Sequence, residues 1–222
     1  MSINNIIAGS RKAASRYFFF LMAFVGVISM TSCSESDGEE GEYDNWEKRN
    51  EAYFNSIYTQ AETAINSGDN SWKIIRTYTK DELTAKAKTD FIVVHVETEG
   101  TGTESPIYSD KVRVHYRGNY MPSASYKDGY QFDSSWTGEY DLKTMKPTDI
   151  SVSEKGSGFS TALMNMHKGD RWTVYIPYTL GYGTSDYQKS SSSPTIPGYS
   201  TLRFDLTLVD YIHAGETFST FQ

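Results

Sequence analysis

The chain has 222 residues, with 21 Lys and Arg against 28 Asp and Glu and a formal net charge of −7. An acidic surface without a basic stripe repels phosphate backbones, so no nucleic-acid partner is expected. A single cysteine, Cys33, excludes an internal disulfide framework, while 17 Tyr, 11 Phe and 4 Trp call for a strongly aromatic core or an aromatic binding surface.

Residues 1–32 read as a processing signal. Arg11, Lys12 and Arg16 precede the 14-residue apolar run YFFFLMAFVGVISM, too short for a membrane-spanning helix. Thr31 and Ser32 then stand directly before Cys33, and this order resembles the lipobox of bacterial lipoproteins. The resemblance implies cleavage before Cys33 and a lipid on that residue. It also implies anchorage in the bacterial cell envelope, at the outer membrane, facing the periplasm or the surface. An ordinary signal peptide with an incidental cysteine is the plainer alternative. Residues 33–44 are acidic and too polar to offset the entropy of ordering, so they read as a solvated tether. Acidic residues behind a lipidated cysteine also resemble the export signal of some surface lipoproteins. Without the leader, 18 basic residues face 28 acidic ones, a net −10.

From Asn45 to about Ile65, Trp46, Tyr53, Phe54, Ile57, Tyr58, Ala61 and Ile65 recur near helical spacing, and NSGD follows as a stop. The spacing predicts an amphipathic helix whose apolar stripe packs on its own domain or on a twin helix in a homodimer. Residues 45–104 are read as this helix with leading strands. Short segments bounded by Gly, Pro, Asp or Ser follow: DFIVVHVETEG, DKVRVHYRGNY, YQFDSS, DISVSE, DRWTVYIP and TLRFDLTLVDYI. In the second, Val112, Val114 and Tyr116 alternate with Arg113, His115 and Arg117, which predicts a strand whose second face meets solvent. Leu202, Phe204, Leu206 and Leu208 alternate likewise. GFSTALMNMHKGD places Phe159, Ala162, Leu163 and Met166 on one side of a short helix ending at Gly169. The expected architecture is α+β: an antiparallel sheet curved around one short α-helix, with an N-terminal amphipathic helix.

Two chemistries compete in residues 114–135. His115, Asp133, Ser134 and Ser135 are the parts of a serine hydrolase, but alternation turns His115 away from Tyr116, and no G-x-S-x-G elbow is present. His95, His167 and His213 lack partners at ligand spacing, so no metal is expected. The other reading is an aromatic pocket. VRVHYRG, DGYQFDSS, GFSTALMNMHKGDRWTVYIP, LGYG and IPGYSTLRFDLTLVDY occur in an order and spacing similar to the FKBP-type peptidyl-prolyl cis-trans isomerases, over about residues 105–213. Residues 214–222 remain as a tail.

That resemblance implies a fold curved around the short helix, catalysis of X-Pro bond rotation without cofactor or metal, and proline-containing unfolded or exported polypeptides as partners. Carried over position by position, the pocket walls would be Tyr116, Phe132, Phe159, Tyr182, Ile196 and Phe204, with Asp133 as a buried carboxylate at the edge. The Tyr182 hydroxyl and the Ile196 backbone N–H would hold client carbonyls. Two departures stand out. Phe159 occupies the place of the family's usual tryptophan floor, and Lys155 with Gly156 occupies the place of an apolar Val-Ile pair, which puts macrolide binding in doubt. The flap TSDYQKSSSSPTIPG and the turn MPSAS are longer than the family pattern, so altered specificity is expected there. A non-catalytic chaperone or peptide-binding module on the same fold is the alternative.

Overall fold

The computed structural model describes residues 41–219; the leader, Cys33 and most of the acidic tether lie outside the described residues. Helix α1 runs Trp46–Asn66. It closes as the NSGD segment predicts: Asp69 N–H donates to the Ala64 carbonyl and Gly68 N–H to Ile65. Gly68 sits at φ 88°, the left-handed position that glycine takes without steric penalty.

Seven strands follow: β1 Trp72–Arg76, β2 Phe91–Thr98, β3 Lys111–Tyr120, β4 Gln131–Ser134, β5 Thr148–Ser151, β6 Arg171–Ile176 and β7 Leu202–Ile212, with α2 at Ser157–Leu163 between β5 and β6. They form one antiparallel sheet in the order β1-β2-β6-β7-β3-β4, while β5 pairs with the other end of β3. Register shifts between Val96 and Thr98, Arg113 and Val114, and Gly118 and Asn119 bend it, as bulges do.

Each face of β2 has its own cover. Ile92 and Val94 join the main core with Phe159, Ala162, Leu163 and Met166, whereas Val93 packs with Phe54 and Ala61 of α1. The stripe of α1 therefore lies on its own sheet. Its N-terminal end reaches the main core: Trp46 Nε1–H donates to Ser200 Oγ at 2.9 Å, and buried Asn50 accepts the Thr201 N–H at 2.7 Å. Residues 45–104 and 105–213 thus share one sheet and one core, and no structural boundary falls near 104.

Two expectations need correction. Helix α2 ends at Leu163, because Asn165 and Met166 bond back three residues rather than four; Met166 is buried from the following turn, and Gly169 at φ 95° leads into β6. His115 does lie opposite Tyr116 on β3, but that face is not solvent there. It is 1% exposed, because Trp136 and Tyr140 close over its ring edge-on at 6.4 and 6.5 Å.

Candidate active site

Between the concave face of the sheet and the start of α2 lies a slot lined by Tyr116, Phe132, Phe159, Tyr182 and Phe204, with Leu180 and Leu202 behind them. Strand alternation aims Tyr116 and Phe204 inward from β3 and β7, and β4 presents Phe132 beside them. Phe159 comes up from α2 as the floor and is 8% exposed. The rings meet edge to face: Phe159 to Phe204 at 5.0 Å, Phe132 to Phe204 at 5.6 Å, Tyr116 to Phe159 at 6.1 Å and Phe132 to Tyr182 at 6.3 Å. Such arrangements set positive ring edges against negative faces and hold each wall in one orientation.

Asp133 is the carboxylate of the slot. Its Oδ2 accepts the Tyr116 hydroxyl at 3.0 Å and the Lys189 ammonium of the flap at 3.2 Å, while Oδ1 accepts the Ser134 N–H. It is half-buried rather than buried as expected, and the Lys189 ammonium that reaches it is itself on a mostly exposed side chain. Burial, with the Asp133 charge as a lesser cause, drives the Tyr116 phenol well above its ordinary range, so it stays protonated and committed to the carboxylate.

Tyr182 differs. Burial pushes its pKa up to about 12, so it too is a donor at neutral pH, yet its hydroxyl has no hydrogen-bond partner among the described residues. Its ring is fixed by Phe132 on one side and stacked on Tyr187 at 4.1 Å, 14° from parallel. A positioned phenol with an unspent O–H beside an aromatic slot can donate to an entering carbonyl.

Ile196 does not behave as expected. It is 3% exposed at the root of the flap and does not line the slot, and its N–H already donates to the Tyr187 carbonyl at 2.8 Å. Tyr187 N–H answers to the Ile196 carbonyl at 2.9 Å, so the pair is a hairpin rung that supports Tyr182 from below the flap. Of the seven expected residues, the structure brings six to the slot and turns the seventh into its scaffold.

The hydrolase parts do not assemble. Ser134 Oγ donates to the Trp136 carbonyl, Ser135 Oγ accepts the Tyr116 N–H, and His115 is enclosed on the other sheet face.

Several contributors escaped the sequence reading. Gly118 pairs with Phe204 and Asp133, and a Cβ there would stand 2.6 Å from Phe132 and 2.7 Å from Phe204. Tyr120 stacks behind Phe132 at 5.9 Å and donates its hydroxyl to the Thr195 carbonyl, tying β3 to the flap. Gly118 lay in view in the VHYRGNY block, but nothing local marks it as facing two rings from other strands.

A wider cleft of about 660 Å³ opens on the other side of Tyr120, lined by Tyr43, Trp46, Tyr130, Pro194, Pro197 and Tyr199 among others. The slot itself is only about 60 Å³. The slot is the candidate for a reactive site, because there a small ring would touch aromatic walls on several sides and meet the Tyr182 hydroxyl.

An aromatic slot between a bent antiparallel sheet and one short helix defines an FKBP-like fold. Residues 102–209, just under half of the chain, match the FKBP-type peptidyl-prolyl cis-trans isomerases. It is 36% identical over 117 residues to the macrophage infectivity potentiator of Trypanosoma cruzi, covering 53% of this chain and 51% of the other. It is 33% identical over 130 residues to the FKBP-type isomerase FkpA of Escherichia coli, covering 58% and 41%. The crystal structure of Escherichia coli FkpA superposes with a TM-score of 0.51 at 26% identity, over 77% of this chain and 63% of that one. The chain thus spans about half the length, or less, of these relatives by sequence.

Proposed function

We propose that this protein accelerates cis-trans rotation of X-Pro bonds in polypeptides. The observation that carries the reading is the convergence of five rings on a slot, one of them Tyr182, whose hydroxyl has no hydrogen-bond partner among the described residues. The match of residues 102–209 to the FKBP-type isomerases supports it. A peptide bond resists rotation by about 18–20 kcal/mol because resonance gives its C–N bond double-bond character. Before proline, cis and trans differ by only about 0.5–1 kcal/mol, so both occur and exchange takes tens to hundreds of seconds. No bond has to break; resonance has to weaken.

The planar amide is more charge-separated than the twisted one. Moving it from water into a ring-lined slot therefore disfavours the ground state more than the transition state, which is catalysis by differential binding. Phe132, Phe159 and Phe204 would hold the pyrrolidine ring. Tyr182 would donate to a client carbonyl and keep the chain in register while the bond turns. Asp133, held by Tyr116 and Lys189, would set the polarity of the edge rather than move protons.

Exchange NMR on a Leu-Pro peptide tests this, with no protease present. The expected outcome is faster exchange at micromolar protein, a large loss on Phe132→Ala and a smaller one on Tyr182→Phe, which keeps the ring and removes the donor. Exchange no faster than in buffer would refute the reading.

The wide cleft beyond Tyr120 favours a second reading, in which the fold holds unfolded chain without catalysis. Binding of proline-bearing peptide without rate enhancement would select it. We further propose, from the leader sequence, that Cys33 carries lipid and anchors the domain in the bacterial envelope, where its clients are exported proteins. Fatty-acid labelling and membrane recovery of the wild type, both lost on Cys33→Ser, are the expected results.

A further inference from the structure

One side of the slot is charged. Lys155, two residues before α2, lines it together with the aromatic walls and is half-buried there. Among the described residues its ammonium has neither a hydrogen bond nor an ion pair, in a chain with 28 carboxylates. The flap supplies a second ammonium, Lys189, which spans 3.2 Å to Asp133 with 64% of its side chain exposed.

Any client seated in the slot covers part of Lys155. An apolar client side chain would remove water from the ammonium and return nothing, a basic one would repel it, and a carboxylate would replace the lost hydration with a charge-assisted contact. Asp133 would ordinarily oppose an incoming carboxylate. Here its charge is engaged by Lys189 and the Tyr116 hydroxyl, so the balance of Lys155, Lys189 and Asp133 at the slot is one positive charge. We propose that the slot selects proline segments with an aspartate or glutamate next to the proline, and that Lys155 reads that carboxylate. The proposal rests on the isomerase reading and names its substrate class.

Two sets of end-blocked tetrapeptides test it, one varying the residue before proline and one the residue after, each as Leu, Glu, Gln and Lys. Exchange NMR gives kcat/KM for each peptide. In at least one set, Glu should exceed its neutral isostere Gln by about two- to fivefold at low salt, the range of a solvent-exposed ion pair, and Lys should fall below both. The Glu-to-Gln ratio should shrink toward one in roughly 0.5 M salt, where the screening length is a few Å. It should also shrink in Lys155→Met and survive in Lys155→Arg. Equal rates for Glu and Gln in both sets, or a ratio unchanged in Lys155→Met, would overturn the proposal. Acceleration of the Leu peptides without charge preference removes this inference alone; no acceleration of any peptide removes the isomerase reading with it.

Discussion

Gly118 carries more of the site than its size suggests. The rings of Phe132 and Phe204 lie over its Cα, and even a methyl group would come within 2.6–2.8 Å of them. Gly118→Ala should therefore displace both rings or the β3 backbone, costing about 1–3 kcal/mol as overpacking does, and lower kcat/KM on the order of tenfold or more through misplaced walls. Urea unfolding and the peptide exchange assay measure the two effects; an unchanged midpoint would show that the rings yield freely. His115 and His213 set opposite pH dependences. Burial against Trp136 and Tyr140 lowers the His115 pKa below its ordinary 6.5. The unfolded chain then binds a proton the fold refuses, so stability falls as pH drops from 6.5 toward the lowered value, by at most about 1.4 kcal/mol per pH unit. The bond to Asp110 at 3.0 Å raises the His213 pKa, so its contribution is present below 6.5 and is lost as pH rises through the raised value. Urea midpoints between about pH 7.5 and pH 5 should show a shallower acid-side fall in His115→Phe and a steeper one in His213→Gln. The aromatic walls were legible in the sequence because their blocks carry a family pattern. The burial of His115 was not, because alternation assigns a residue to a face but does not say which distant segment covers that face.

The flap and helix α1 are the elements that make this slot particular. The flap holds Tyr182 through the Tyr187 ring, whose backbone exchanges two hydrogen bonds with Ile196, and closes its base with the Gly198 N–H donated to Asp186 at 2.9 Å. Tyr187→Ser keeps the backbone rung and removes the stacked ring, worth about 0.5–1.5 kcal/mol. It should lower kcat/KM by about two- to tenfold and cost stability little beyond that stacking energy, because Tyr187 is 38% exposed. A loss no larger than that of a distant surface variant would mean that Phe132 alone orients Tyr182. On α1, Phe54 is 2% exposed against Val93, and Phe54→Ala should cost about 3–5 kcal/mol although it lies outside the slot. The strands were legible because one-sided burial imposes a period of two, and α1 because its stripe imposes a period near 3.6. The partner of that stripe was not legible, since an apolar face states that it must be covered and not by what. The true end of α2 was missed for a related reason: Met166 keeps helical spacing but reaches the core from a turn.

At the scale of the whole molecule, residues 41–101, which precede the family match, are not an independent appendage. The first two strands extend the same sheet as the other five, and Trp46 and Asn50 bond to Ser200 and Thr201 at the entrance to β7, more than 150 residues away in sequence. Trp46 sits in the same buried cluster as Phe159 and Phe204. Energetic coupling follows from shared burial, because loosening α1 would expose both the Val93 face of β2 and the ends of the slot-forming strands. Tryptophan fluorescence and far-UV circular dichroism should therefore give one coincident urea transition, as expected when no part unfolds alone. A chain beginning at residue 67 should lose both stability and exchange activity. Two resolved transitions, or full activity in the shortened chain, would show instead that residues 102–209 fold and work as a separable unit within this protein.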